Sequence, residues 1–219
     1  MDLLAMISLA FGAAWASGIN LYATVAVLGL LNVFGFVALP QSLEVISDPL
    51  VLGVAVVMYI VEFVADKIPG VDGVWDSIHT FIRVPAGALL AAGTIADVSE
   101  PYQIAAVLLG GGAVALGSHA TKSGSRALIN TSPEPVSNWV TSFAEDILVV
   151  IGITIAALKP TLFLILFGIL CLFVVWFLPK TWRALSTVLG RISGFRKRKG
   201  EQVVSSSAKG FDLASTGDC

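Results

Sequence analysis

Residues 3–43 read LLAMISLAFGAAWASGINLYATVAVLGLLNVFGFVALPQSL, with no formal charge between Asp2 and Glu44. As one continuous helix the stretch would be about 60 Å long, roughly twice the hydrocarbon core of a bilayer. It therefore has to turn back on itself. The expected break is Ala16-Ser17-Gly18-Ile19-Asn20, which gives one segment near 3–17 and another near 20–36, closed by Pro40.

The rest of the chain agrees with that opening. Of its 219 residues 56% are hydrophobic and only 13% are Asp, Glu, Lys or Arg, about half the charged share of an ordinary soluble domain. Mean hydropathy is +0.89. A soluble fold of this size could not hide so much apolar surface. The net charge of -2 leaves no basic excess for a nucleic acid partner. Cys171 and Cys219 have no metal-ligand spacing and no disulfide logic. Met1-Asp2 opens without a basic n-region, so the first segment is expected to stay in the membrane.

Two further runs read as plain spans: 160–179, bounded by Pro160 and Pro179, and 102–117, where Gly110-Gly111-Gly112 suits close packing or bending. Others are interrupted. Segment 49–68 carries Glu62, Asp66 and Lys67 near its end, 84–97 is too short to span alone, and 136–158 carries Glu145-Asp146 at its centre. Polar connections at 69–83 and 118–135 lie between them. After Pro179 come Lys180, Arg183, Arg191, Arg196, Lys197, Arg198 and Lys199, seven of the thirteen basic residues. The positive-inside rule puts this end in the cytoplasm. Trp182, Leu185, Val188, Leu189 and Ile192 fall at helical spacing for an interfacial helix on anionic lipid, and the Ser-rich tail past Gly200 is expected to be disordered.

A weak self-similarity lays Ala16-Ser17-Gly18-Ile19-Asn20 on Ala115-Leu116-Gly117-Ser118-His119, and Ser47-Asp48-Pro49 on Thr131-Ser132-Pro133. Asn20 then stands opposite His119, and Glu62 opposite Asp146. The fold expected is an all-α polytopic transmembrane bundle with an internal two-fold repeat and broken or re-entrant helices. Its parts are a first membrane repeat at 1–98, a second at 99–180, the basic cytoplasmic helix at 181–199 and the tail at 200–219. Chance similarity among Gly/Ala-rich membrane helices is the plainer explanation of the repeat.

The sharpest chemical signal is Glu145-Asp146. Each ionisable group at the centre of a span costs on the order of 3 kcal/mol, so something must compensate it. Ser137, Thr141 and Glu145 form one helical strip and Asn138, Ser142 and Asp146 the next. A structural ion pair with Lys122, Arg126 or Arg83 is the plainer alternative to a binding site. Glu62 and Asp66 share a helical face, where paired carboxylates could share a proton or ligate a cation, or could mark a solvated helix end.

Asp72, Asp76, His79 and Arg83 recur at spacings of four, three and four, on one helical stripe. Asp76 and His79 could ligate a metal, but zinc would want a further His or Cys, and the chain has two histidines. A surface helix held by ion pairs explains the same spacing. His119, Lys122, Arg126 and Asn130 form a similar stripe on 118–130, too polar to span and able to enter lipid only as a re-entrant helix buried in protein. Its cations could neutralise Glu145 and Asp146, could bind a phosphate group, or could belong to a cytoplasmic loop. No P-loop, nucleophile elbow or metalloprotease helix is present.

GINLYAT (18–24), EFVADKIPGVDGVWDSIHTFIRVPAG (62–87) and SHATKSGSRALINTSPEPVSNWVTSFAED (118–146) resemble the signature segments of an uncharacterised bacterial membrane family, domain of unknown function 4126. The resemblance covers about residues 5–180. It implies a bacterial inner-membrane protein and supplies no activity or site residue. Glu62-Phe63-Val64-Ala65-Asp66-Lys67 is also similar to the E-x-G-D-K/R motif of a family of calcium and manganese cation/proton exchangers, with one residue more between the acids, no Gly and no second copy.

The function expected first is a small secondary transporter or channel-like protein with a carboxylate-lined cation or proton site between the halves. The residues around it would be Asn20, Glu62, Asp66, His119, Lys122, Arg126, Asn138, Glu145 and Asp146, with Asp72, Asp76, His79 and Arg83 as a second cluster. Alternatives are a transporter of anionic lipid or phosphate using Lys122, Arg126 and Arg83, a membrane enzyme with a divalent metal at Asp72, Asp76 and His79, and a non-catalytic scaffold working through its basic tail. No cofactor is expected beyond a divalent cation. Partners are the bilayer, a small ion or small anion, and a second copy if the chain self-associates.

Overall fold

The computed structural model describes residues 2–68, 70–96, 111–129 and 135–176. Outside these fall most of the expected span 102–117, the Thr131-Ser132-Pro133 half of the repeat alignment, Asn130, the basic helix at 181–199 and the tail at 200–219. Among the described residues the regular structure is entirely helical: α1 (Leu3–Val33), a 3-10 turn (Gln41–Ser47), α2 (Pro49–Ala65), α3 (Val71–Thr94), α4 (Ala113–Ile129), α5 (Pro135–Leu158) and α6 (Pro160–Trp176). Two compact units divide the chain, Met1–Leu166 and Phe167–Cys219. In the second, the described part is the end of α6.

Local chemistry sets several helix ends. Asp2 accepts from Ala5 N–H at 2.8 Å and opens α1, and Asp48 does the same for α2 through Leu50 N–H, with Pro49 in the first turn where its missing donor is harmless. Gly70 takes φ 89° between α2 and α3, a left-handed conformation that an L side chain would strain. Asp72 Oδ1 accepts from Gly70 N–H at 2.8 Å and Gly73 N–H at 2.7 Å, closing that turn.

Within α1 one residue, Asn20, leaves helical geometry (φ -147°, ψ 99°). Its Oδ1 accepts from Ala23 N–H at 2.9 Å, and its carbonyl accepts from Thr24 Oγ1 at 2.7 Å. Asn20 therefore ends one helix and caps the next. The two segments expected at 3–17 and 20–36 are joined through this single extended residue rather than through a loop. The counterpart break expected at Gly117–His119 is absent, because α4 runs unbroken through it. The difference is chemical: the Asn20 amide supplies a helix cap, whereas the His119 ring is engaged sideways by α3.

The polar connection expected at 69–83 and the short segment at 84–97 are one helix, α3, continuous through Pro85. The segment expected to be a connection at 118–135 is mostly the body of α4. Both were too polar to read as core, yet their polar stripes are turned inward.

That inversion governs the whole unit. Asn20, Glu62, Asp66, Asp72, Asp76, His79, Arg83, His119, Lys122, Arg126, Asn138 and Asp146 are buried, while Leu50, Val57, Ile60, Leu89, Val140 and Ile151 are among many large apolar side chains on the outside. Water would reverse this arrangement; lipid favours it. Leu3–Val33 and Val136–Leu158 are each long and apolar enough to cross a membrane, and the 3-10 turn with α2, bent by 63°, would make a third span. The apolar helices suggest a membrane protein with charge kept inside.

Small residues bring the helices together. Gly18 lies against Ala115 and Ser118, Gly87 against Ser17 and Ala115, and Gly12 against Ala156. Ala10 and Ala14 of α1 pack with Ala91 of α3 and Ile95. Close backbone approach of this kind replaces the hydrophobic drive that helices lose in lipid.

Candidate functional site

Four helices carry the buried charges inward to one network. At its centre Lys122 Nζ reaches Asp66 Oδ2 at 2.7 Å, Glu62 Oε1 at 3.3 Å, Asp76 Oδ1 at 3.7 Å and the Ile19 carbonyl at 3.1 Å. Arg83 bridges Glu62 Oε1 at 2.7 Å and Asp76 Oδ1 at 2.8 Å. Arg126 donates to Glu145 Oε2 at 2.6 Å, to the Asp66 carbonyl at 2.6 Å and to Asn138 Oδ1 at 2.6 Å, with Asp66 Oδ2 at 3.4 Å. The two clusters suggested by spacing are thus largely one cluster, with cations of α3 and α4 interleaved between carboxylates of the α2 end, α3 and α5.

His119 lies between Arg83 and Thr80. Arg83 Nη1 stands 3.3 Å from His119 Nδ1. Nε2 faces Thr80 Oγ1 at 2.6 Å and Ser123 Oγ at 3.4 Å, and Thr80 donates onward to the Asp76 carbonyl at 2.9 Å.

The remaining residues of the second stripe go elsewhere. His79 stacks on Trp75 with ring centroids 4.1 Å apart, and its two nitrogens face the Trp75 carbonyl at 2.9 Å and Tyr22 Oη at 3.2 Å. Asp72 closes the turn before α3, and Asp76 is bound to Arg83. The three therefore do not converge, and among the described residues no group of three His, Cys, Asp or Glu is arranged to hold a metal ion. The stripe is also not a surface helix face, since all four of its members are buried.

Asp146 differs from its neighbours. Its Oδ1 accepts from Asn20 Nδ2 at 3.1 Å, its Oδ2 is buried without a hydrogen-bond partner, and among the described residues no Lys or Arg nitrogen lies within salt-bridge distance. One turn earlier on α5, Ser142 accepts from Lys67 Nζ at 3.4 Å. Lys67, just past the end of α2, also donates to the Phe63 carbonyl at 3.0 Å and sits over the Phe63 ring, 2.9 Å from its centroid. Burial pulls the Lys67 ammonium below the usual lysine range, and the charges of Asp146 and Asp66 work against that shift.

Among the described residues the buried acids outnumber the buried cations. Glu62, Asp66, Asp76, Glu145 and Asp146 face Arg83, Lys122 and Arg126, with Lys67 a fourth cation at the edge. Glu62 Oε2, Asp66 Oδ1 and Asp76 Oδ2 are, like Asp146 Oδ2, buried and unpartnered. An uncompensated carboxylate in such surroundings must take up a proton or meet a cation.

The sequence singles out neither Tyr22 nor Thr80. Each had a signal only as a member of a quoted segment, Tyr22 in 18–24 and Thr80 in 62–87. No curated protein and no solved structure matches the chain. The family described as Domain of unknown function (DUF4126) matches residues 7–180, most of the length, and the chain belongs to that family.

Proposed function

We propose that this protein is a small secondary transporter or channel-like protein of a bacterial inner membrane, its C-terminus cytoplasmic, carrying a proton or small cation on carboxylates inside the helix bundle. The observation that carries the reading is the surplus of buried acids among the described residues, and within it Asp146, held by the side-chain amide of Asn20 at a helix break with no described cation within salt-bridge distance. A purely structural network would pair Asp146 as Glu145 is paired with Arg126.

A re-entrant α1 belongs to this proposal. Before the break α1 runs antiparallel to α3: Ala10 and Ala14 pack with Ala91 and Ile95, and Ser17 meets Gly87. A straight continuation would carry Gly29 nearly 30 Å from Gly93. Gly29 instead lies against the Ile46 carbonyl, while Leu43 meets Gly93 and Ser42 donates to the Gly93 carbonyl at 2.5 Å. Leu43 and Ile46 are about 6 Å apart along a 3-10 turn. Both halves of α1 then lead toward the same end of α3, with Asn20 at the apex, the arrangement by which broken helices present a site at mid-membrane. Continuity of α4 leaves the two-fold repeat without a matching second break, so the proposal does not depend on it.

The anionic-substrate alternative is less favoured. Lys122, Arg83 and Arg126 are each bonded to at least two acidic residues, and an anion would have to displace them.

The test is flux in proteoliposomes made with the full chain. Wild type should dissipate an imposed proton or cation gradient and Asp146→Asn should not. Wild-type rates equal to those of empty liposomes for protons, sodium, potassium, calcium and manganese would remove the reading.

A further inference from the structure

We propose that the species bound at Asp146 is a proton, carried on Oδ2, and that Asn20 makes the site unsuited to a metal cation. This deepens the transport reading and rests on it.

The end of the Asn20 amide that faces the carboxylate decides what the site can bind. An Asn side chain can usually exchange its oxygen and nitrogen by a flip of the amide, but here the flip is blocked. Asn20 Oδ1 is committed to Ala23 N–H at 2.9 Å as the cap of the second half of α1. The atom left for Asp146 is therefore Nδ2, a donor, at 3.1 Å. A metal cation needs several oxygen ligands converging on it, and hard cations take six or more. The side chain bonded to Asp146 offers hydrogen, not oxygen, and among the described residues no three His, Cys, Asp or Glu side chains are arranged to hold a metal ion.

A proton makes no such demand. Asp146 Oδ1 keeps its bond from Asn20 in either charge state, because a protonated carboxyl still accepts through one oxygen. Oδ2, buried and unpartnered, is free to take the hydrogen: the carboxylate and one proton give the neutral acid, with no other bond broken. The groups whose charges Asp146 feels or is felt by are Tyr59 on α2, Asp66 and Lys67 after it, and Lys122 on α4. Lys67 provides a polar lead to the bundle end at the close of α2, through Ser142 on the Asp146 stripe.

The test separates proton binding from transport. Infrared difference spectra of the full-length protein in lipid would be recorded across a pH titration, with sodium, potassium, calcium or manganese chloride added in turn. The expected result is a protonated-carboxyl C=O band that titrates, is absent from Asp146→Asn, and does not respond to the metals. Asn20→Ser keeps a helix cap but removes the amide donor; it should move the midpoint of that band up by about one pH unit, since a hydrogen bond to a charged group is worth on the order of 1.5 kcal/mol. A band that survives in Asp146→Asn, or one abolished by a metal that also shifts the carboxylate stretch, overturns the proposal. A band lost in Asp146→Asn with no ion flux would uphold the proton site and defeat the transport reading, whereas metal flux without a titrating band would do the reverse.

Discussion

Lys122 Nζ donates to the Ile19 carbonyl at 3.1 Å, one residue before the break at Asn20, and to Asp66 at 2.7 Å. One ammonium thus closes the C-terminal end of the first half of α1 and neutralises acids at the end of α2. A cation at a helix C-terminus answers the partial negative charge of its free carbonyls, so the broken helix and the buried acids are held by the same group. Lys122→Met should leave both uncompensated and destabilise the protein by about 3–5 kcal/mol. Thermal unfolding in detergent would measure this, and an unchanged midpoint would sink the assignment.

Arg83 is bonded to Glu62 and Asp76 at once. Arg83→Met should therefore be severely destabilising, by about 3–5 kcal/mol, mostly from the stranded carboxylates. Adding Glu62→Gln to Arg83→Met should recover part of the loss, leaving Asp76 as the remainder. Strict additivity of the two changes would show that the pair is not coupled.

Gly18 and Gly117 were aligned by the sequence repeat, and the structure predicts opposite responses. A methyl group at Gly18 would collide with Ser118 and the Ala115 carbonyl, whereas at Gly117 it would meet nothing within 4 Å. Gly18→Ala should lose about 1–3 kcal/mol by overpacking. Gly117→Ala, inside α4, should be neutral or gain up to about 1 kcal/mol from helix propensity. Equal losses at both positions would revive the repeat.

Ile151 points outward from α5. If that surface meets lipid, Ile151→Arg should cost about 3 kcal/mol of insertion, visible as reduced membrane-integrated protein in a glycosylation-mapping assay. Wild-type insertion would argue that the outer face is covered by something other than lipid.

Lys67 gives a pH signature. Burial holds its native-state value below 10.5, so between that lowered value and 10.5 the unfolded chain binds more protons than the native one. Stability contributed by this group therefore rises with pH through that alkaline window. Lys67→Met should flatten the rise in unfolding midpoint, and an unaltered slope would show that Lys67 is not desolvated.

By itself the sequence indicated apolar surroundings and located the sites of conflict. Charge-free runs such as 3–43 marked the apolar helices, and the acids inside apolar segments, Glu145-Asp146 above all, marked where compensation was needed, because both follow from the transfer cost of single residues. It also located the break near Asn20, where Gly and an amide meet. Only the tertiary structure decided who compensates whom. Spacing grouped Asp76 and His79 as possible metal ligands, yet the fold gives Asp76 to Arg83 and His79 to Tyr22; the stripe at 72–83 suited a surface helix and that at 118–130 a cytoplasmic loop as well as a buried one, yet their described charged residues line the interior. Periodicity reports which residues share a face of one helix, and it carries no information about which face of another helix stands opposite. Asn20 and Asp146, 126 residues apart, meet only because close contact of small residues brings α1 against its neighbours.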